Sequence, residues 1–154
     1  MIIESLAKVQ SRIDSVSHNQ SVQLIAVSKT RSADDIQLAV DAGQQHFGEN
    51  YLQEALEKIN ILQGQGLIWL FIDPIQSNKT SKIAEHFDWV HSVERLKIAK
   101  RLSDQRLASL ADLNILLQVN IDQESTKSGF LLEEIASVVP QIEDFPNISL
   151  RGFM

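Results

Sequence analysis

Residues 22–48 read VQLIAVSKTRSADDIQLAVDAGQQHFG and predict one strand–helix–strand unit. The apolar run over 22–27 is typical of a strand that is buried on both faces. Ser32, with an aspartate three residues later, resembles a capping box, which predicts a helix over 33–42 that ends at the following glycine. A short strand over 46–48 comes next. This order of elements is the repeating unit of parallel α/β sheets.

The same alternation continues along the chain. An amphipathic helix over 2–16 comes first, because apolar residues recur there at spacings of three and four. The predicted strands are centred near residues 25, 47, 70, 91, 117 and 151. Four further helices are predicted: one capped by Asn50, one that ends at Phe87, one over 94–106 and one over 131–139. Pro140 is expected to end or kink the last of these helices. Strands alternating with helices predict a parallel sheet with right-handed crossovers. Two architectures stay open, an open doubly wound sheet and part of a (β/α) barrel, and neither the Rossmann fingerprint nor the P-loop pattern is present.

The composition favours a folded protein and argues against several classes of function. Of the 154 residues, 44% are hydrophobic and 22% are charged, and the length has room for one domain. Twenty acidic residues against fourteen basic ones give a net charge of −6. A nucleic-acid groove needs clustered positive charge, so nucleic acid is not an expected partner. The chain has no cysteine and forms neither disulfides nor thiolate metal sites.

No targeting signal is recognisable in the sequence. The first residues alternate apolar and charged types and lack the basic segment and apolar stretch of a signal peptide. No apolar run approaches the roughly 20 residues that cross a bilayer. The sequence therefore predicts a cytoplasmic protein that has no membrane partner.

Lys29 is the first candidate for chemistry, because it follows the apolar run at the expected carboxyl end of the first strand. In parallel α/β folds, ligands bind at that end of the sheet. A lysine amine that loses hydration at an apolar barrel mouth becomes a nucleophile toward aldehydes and can form a Schiff base. The alternative is a lysine that ends a strand and points into water.

Four stretches of the sequence resemble one protein family. They are AVSKT (26–30), FGENYLQE (47–54), FDWVHSVERLKIAKRL (87–102) and QVNIDQESTKSGF (118–130). They are similar, in the same order, to the YggS/PROSC family of pyridoxal 5′-phosphate (PLP) homeostasis proteins, which is related to the N-terminal barrel of alanine racemase. The resemblance covers essentially the whole chain.

The resemblance implies a fold and a cofactor site. The fold is a parallel (β/α) TIM-type barrel of the alanine racemase N-terminal type, here with about six βα units. Lys29 falls on the family's PLP lysine, which holds the cofactor as a Schiff base. The predicted cofactor-binding residues are Lys29, Asn50, Ser77 and Asn78; Gln76, Lys79, Asn120 and the turn 127–129 also match family segments.

The sequence departs from the family pattern at three places. Leu70 stands where the family has a histidine, and Asp73 stands where it has a glycine, which brings a carboxylate near the expected phosphate site. The family's last two strands, with its serine- and glycine-rich phosphate-binding segment and its R-I-G segment, have no counterpart. We therefore expect a single PLP-binding barrel domain over 1–154 that is incomplete at its C-terminal end.

Glu49 and a set of three candidate metal ligands are weaker candidates. Glu49 is interpreted as a structural carboxylate at a helix start rather than as a general base. The other set is His86, Asp88 and His91. The two histidines are five residues apart, which is a poor spacing for one metal site. Neither a metal nor a catalytic residue is predicted.

The resemblance implies a PLP homeostasis protein that holds the cofactor on Lys29 and releases it without catalytic turnover. Two alternatives stay open, a PLP-dependent racemase or decarboxylase and a degenerate family member that no longer binds PLP. The expected partners are PLP itself and PLP-dependent apoenzymes that receive it. Exposed strand edges also predict pairing with a second copy of the chain as a homo-oligomer.

Overall fold

The computed structural model describes residues 1–18, 20–122 and 126–154, in which strands and helices alternate. The strands are β1 (Ala26–Val27), β2 (His46–Glu49), β3 (Ile68–Phe71), β4 (Trp89–Val93), β5 (Leu113–Leu117) and β6 (Ile148–Phe153). The helices are α1 (Ile2–Val16), α2 (Ala33–Asp41), α3 (Leu52–Ile61), α4 (Thr80–His86), α5 (Leu96–Gln105) and α6 (Leu132–Glu143). The predicted order of elements is confirmed.

The strands of this part of the chain form one parallel sheet in the order β1-β2-β3-β4-β5-β6. Each strand pairs with its neighbour in the sequence, as in a (β/α) barrel, whereas a doubly wound sheet reverses its strand order at a switch point. The architecture is therefore an open arc of a barrel, and β1 and β6 are its two edges. This decides between the two architectures that the alternation left open.

The first strand is shorter and more exposed than its apolar sequence predicts. Only Ala26 and Val27 of the run over 22–27 form a strand. Val22 and Val27 are 48% and 52% exposed, so the prediction of a strand buried on both faces is wrong. The physical reason is that β1 is an edge strand, which pairs with β2 on one side alone.

Pro140 does not end the last helix, which continues to Glu143. A proline inside a helix removes one backbone hydrogen bond. The burial of Val138 and Ile142 on either side of Pro140 offsets this loss, because both side chains pack in the core. The predicted end of this helix at 139 is therefore wrong.

The fifth strand, which the sequence centres near residue 117, already ends at Leu117. Beyond it, the backbone of Gln118 and Asn120 bonds to Phe130 on the returning chain. Backbone bonds to the neighbouring segments continue there as well, since the N–H of Gln118 donates to the carbonyl of Val93 and that of Val119 to the carbonyl of Met154.

The core lies between the sheet and the helices. Phe71 of β3 packs edge-on against Phe87, with ring centroids 5.5 Å apart, and α5 buries Ile98, Ala99 and Leu102 there. Trp69 and Phe71 belong to this core. Since side chains alternate along a strand, Leu70 lies on the opposite, inner face of the sheet, where it is 2% exposed. Side chains on both faces of the sheet are therefore buried at β3, and this packing holds the strands in place. The candidate site lies at the carboxyl ends of these strands.

Candidate functional site

Lys29 lies in the turn that directly follows β1, and its side chain is exposed. On one side of it, the backbone N–H of Ser28 donates to the carbonyl of Gly48 in β2 at 2.9 Å. On the other side, Thr30 has a φ of +62°, in the left-handed region that β-branched residues rarely adopt. Lys29 therefore stands between a residue bonded to the sheet and a residue with a strained backbone.

A cluster of charged residues that pack against this turn consists of Glu49, Glu54 and Lys58, and we call it the Lys58 cluster. Glu49 ends β2 and is 0% exposed, while Lys58 comes from α3 and is 4% exposed. The Lys58 ammonium donates to Oε1 of Glu49 at 2.8 Å and also to Oε1 of Glu54. One buried cation thus faces two carboxylates, an arrangement that keeps the charges paired out of water.

The Lys58 cluster is bonded to the residues on both sides of Lys29. Lys58 Nζ donates to the backbone carbonyl of Ser28 at 2.7 Å, and the Ser28 hydroxyl donates to Oε1 of Glu49. The backbone N–H of Thr30 donates to Oε1 of Glu54 at 2.7 Å. These bonds fix the turn at both of its ends.

The electrostatics of Glu54 reflect these contacts. The hydrogen bond from Lys58 lowers the pKa of Glu54 below its ordinary value, and the bond from the Thr30 backbone N–H lowers it further. Both donors stabilise the charged carboxylate. Glu54 is therefore an anion in the folded protein at neutral pH.

Asn50 follows β2 at the same edge of the sheet and contacts the loop after β3. Its side-chain Nδ2 donates to Oδ1 of Asp73 at 3.0 Å. Asn50 is not the N-cap of α3, because the helix begins one residue later, and Tyr51 takes the N-cap position without a side-chain hydrogen bond. Asn50 Oδ1 is buried and accepts no hydrogen bond from the described residues.

Asp73 occupies the family's glycine position without a left-handed backbone, since it is not among the described residues that have a positive φ. Its backbone carbonyl accepts a hydrogen bond from the hydroxyl of Ser92. The substitution therefore introduces a carboxylate that pairs with Asn50, and it causes no backbone strain.

Ser77 and Asn78 lie in the turn before α4, farther along the same loop. Ser77 is half-buried and Asn78 is exposed. The Thr80 hydroxyl donates to the Ser77 carbonyl at 2.9 Å and anchors the turn. Among the described residues, no hydrogen bond joins Ser77 or Asn78 to Lys29 or Asn50. The neighbours Gln76 and Lys79 are exposed.

The segment after β5 has a glycine that its backbone requires. Gly129 has a φ of +130°, and a Cβ there would lie 2.8 Å from the backbone nitrogen of Asn120. Asn120 is buried, and its Nδ2 donates to the carbonyl of Lys127 at 3.2 Å. Residues 123–125 of the family-like stretch lie outside the described residues.

The weaker candidates are used in other ways. Asp88 Oδ2 accepts the backbone N–H of Trp69 at 2.8 Å, and burial lowers the pKa of His91. Within 1–18, 20–122 and 126–154, no group of three or more histidine, aspartate or glutamate residues could hold a metal ion. Glu49 ends a strand rather than starting a helix: its Oε1 accepts from Ser28 and Lys58, and its buried Oε2 accepts no hydrogen bond from the described residues.

Sequence reasoning missed Lys58 and Glu54. Their spacing of four residues indicates an ion pair on one face of a helix. That spacing alone predicts an exposed pair, since lysine is rarely buried. The signal that was available is the position of Lys58 three residues after Ala55, on the apolar face of the predicted helix.

Comparisons of sequence place the chain among known proteins. Residues 4–154 match the family model of the alanine racemase N-terminal domain. The pyridoxal phosphate homeostasis protein of Escherichia coli K12 is 45% identical over 161 residues, which cover 99% of this chain and 69% of that protein. The protein of the same name from Pseudomonas aeruginosa PAO1 is 51% identical over 158 residues, with the same coverage.

Solved structures of similar proteins agree with the sequence comparisons. PipY of Synechococcus elongatus PCC7942, solved without PLP, superposes with a TM-score of 0.90 at 37% identity and covers 100% of this chain and 70% of PipY. PipY with PLP bound superposes with a TM-score of 0.87. Alanine racemase from Corynebacterium glutamicum, at 17% identity and a TM-score of 0.65, covers 92% of this chain and 43% of the racemase, and shares the fold. No helix in the described ranges is long and apolar enough to cross a membrane.

Proposed function

This chain belongs to the pyridoxal phosphate homeostasis protein family, and on that premise we propose that it binds PLP through Lys29 and releases it again without catalytic turnover. PLP carries an aldehyde, which combines reversibly with a primary amine and loses one water molecule. A protein that holds the aldehyde in this way keeps the free cofactor low and returns it to an acceptor amine.

The observation that carries this proposal is the position of Lys29. Its exposed amine follows β1 at the carboxyl edge of a parallel sheet, where ligands of such folds bind. The residues on both sides of it are fixed by the Lys58 cluster. An accessible primary amine on a fixed turn fits an aldehyde-bearing cofactor.

Three further residues are proposed as cofactor contacts. Asn50 follows the neighbouring strand and has a buried oxygen, Oδ1, without a partner among the described residues. A donor on a bound ligand would satisfy it, and buried polar atoms are normally satisfied. Ser77 and Asn78 offer a hydroxyl and an amide from the turn before α4, groups that suit a phosphate.

The absence of turnover is part of the proposal. The relatives at 45% and 51% identity are named for PLP homeostasis, whereas the C. glutamicum racemase is 17% identical and shares the fold alone. The racemase alternative requires that the purified chain with PLP interconverts D- and L-alanine. Racemisation that Lys29→Ala abolishes would overturn the proposal of a carrier.

A labelling experiment tests the binding proposal directly. The purified chain is mixed with PLP and reduced with borohydride, and the labelled lysines are located by mass spectrometry. We expect label on Lys29, none in Lys29→Ala, and an unchanged result in the control Lys97→Ala, which removes an exposed lysine of α5. Label spread evenly over surface lysines would favour the degenerate family member.

Cytoplasmic location and delivery to PLP-dependent apoenzymes complete the proposal. A bound aldehyde that exchanges between amines provides a route for such transfer. Delivery is tested by mixing the loaded chain with an apoenzyme and an excess of a scavenger for free PLP. Recovery of enzyme activity under these conditions supports direct delivery, and its absence contradicts it.

A further inference from the structure

The turn 28–30 has an unfavourable backbone conformation at Thr30, which needs stabilising contacts from the surrounding residues. Thr30 is β-branched and has a φ of +62°, and such residues persist in this region only where the surroundings over-determine them. Two hydrogen bonds oppose relaxation of this angle: the Arg31 backbone N–H donates to the Ser28 carbonyl at 3.0 Å and closes the turn, and the Thr30 backbone N–H donates to Glu54 Oε1 at 2.7 Å. Lys29 immediately precedes Thr30, so its amine depends on this conformation.

Glu54 is itself held by Lys58. The Lys58 ammonium donates to Glu54, to Glu49 and to the carbonyl of Ser28. Glu49 and Lys58 are nearly inaccessible to solvent, so these charges have no water to replace a lost partner. The side chain of Glu54 is 33% exposed, and it is the member of the cluster that accepts the backbone N–H of Thr30.

We propose that Lys58 and Glu54 are positioning residues that set the turn 28–30 and thereby aim the Lys29 amine. The inference rests on the proposed function, because it concerns the reactivity of Lys29 toward PLP. Lys58 is buried and holds the Glu54 carboxylate in place through a hydrogen bond. Glu54 in turn accepts the backbone N–H of Thr30 and so holds the backbone of the turn. Neither side chain contacts the cofactor in this proposal.

Glu54→Ala is the sharpest test, because it removes the acceptor of the Thr30 N–H and leaves the Glu49–Lys58 pair in place. Glu54→Gln is the conservative variant, since its amide oxygen still accepts from Thr30. Glu57→Ala is the matched control: it removes an exposed glutamate from the same helix. The circular dichroism spectrum and the thermal midpoint of each variant show that it is folded.

The first measurement is the rate at which PLP labels Lys29, read by mass spectrometry after borohydride reduction. We expect Glu54→Ala to slow this rate about tenfold, the factor that corresponds to one lost hydrogen bond of ordinary strength. Glu54→Gln should restore most of the rate, and Glu57→Ala should leave it unchanged. Labelling of Lys97 within each sample serves as an internal standard. A purely structural role would lower the thermal midpoint and leave the Lys29 rate as it was, and that result would overturn the inference.

The second measurement needs no PLP. Hydrogen exchange of the peptide that covers 26–33 should quicken in Glu54→Ala and stay unchanged in Glu57→Ala. Unchanged exchange in Glu54→Ala would overturn the inference even if PLP binding were normal. If the wild-type chain takes no label on Lys29, the proposed function fails, while the exchange experiment still decides whether Glu54 sets the turn.

Discussion

Single residues decide how the charged interior of this fold is stabilised. Lys58 and Glu49 are buried and bonded to each other at 2.8 Å. Removal of one member of a buried ion pair leaves the other charge without compensation, and this costs far more than the pair itself contributes.

We expect Lys58→Met to lower the free energy of unfolding by about 3–5 kcal/mol, because Glu49 then remains buried as an unpaired anion. Equilibrium unfolding in urea measures this change. Lys82→Met is the control, since the pair of Lys82 with Glu85 at 3.2 Å is exposed and is worth less than about 1 kcal/mol. Equal losses in the two variants would mean that the Lys58 cluster is solvated.

The pKa of Glu54 predicts a dependence of stability on pH. Its folded-state pKa is lowered by Lys58 and Thr30, so between the two pKa values the folded state binds fewer protons than the unfolded state. The stabilisation is fully present above the ordinary glutamate pKa and is lost as the pH falls through the lowered value. The Tm of the wild type minus that of Glu54→Gln should therefore be larger at about pH 6 than at about pH 3. A difference that does not change with pH would contradict this assignment.

The sequence identified Lys29 but not the residues that hold it. Lys29 could be found because it follows an apolar run and lies in a specific motif. Lys58 is one of several lysines on predicted helices. Its burial arises only when α3 packs near Ser28 and Glu49, which are 30 and 9 residues away in the sequence. Local patterns do not contain contacts of this kind.

At the scale of elements, the start of α2 shows how a local signal fixes a boundary. The Ser32 side chain accepts the backbone N–H of Asp35 at 3.1 Å, as the capping box predicted. We expect Ser32→Ala to destabilise the protein by about 1 kcal/mol, measured by urea unfolding. Ser137→Ala, in the interior of α6, is the control and should change little. Equal effects of the two changes would show that the cap makes no net contribution.

Other element boundaries depend on tertiary contacts and could not be predicted. The sequence of β1 favours a buried strand, and its exposure follows from its place at the edge of the sheet. Asn50 is a good N-cap residue by type, yet Asp73 engages its side chain. In both cases the outcome depends on which part of the chain lies beside the residue in the folded protein.

At the scale of the whole molecule, the alternation of elements predicted a parallel sheet but not the order of the strands within it. Doubly wound sheets and barrels have the same local pattern, and they differ in which strands are neighbours. The family-like motifs indicated a barrel, and the strand order β1 to β6 confirms it. That residues 1–154 form a single domain stays a prediction.

The open arc predicts association between copies of the chain. Among the strands that the structure describes, β1 and β6 each pair with one neighbour alone, and such edges favour pairing with another strand. We expect light scattering to detect a species larger than the 17.3 kDa chain. Val27→Lys, at the β1 edge, should shift it toward the monomer, while Leu38→Lys, on the exposed side of α2, should not. A monodisperse wild-type monomer would contradict this prediction.

The pairing of each strand with its neighbour in the sequence also matters while the chain is being made. A ribosome releases the N-terminal end first, so each strand from β2 onward meets a partner that has already emerged. The Lys58 cluster is complete in sequence once Lys58 has left the exit tunnel, before β3 to β6 have emerged. Nascent chains arrested after β4 has emerged should therefore already protect the Thr30 amide from exchange, and an unprotected amide would contradict this order of events. The turn that contains Lys29 would then form early, while the rest of the chain is still being translated.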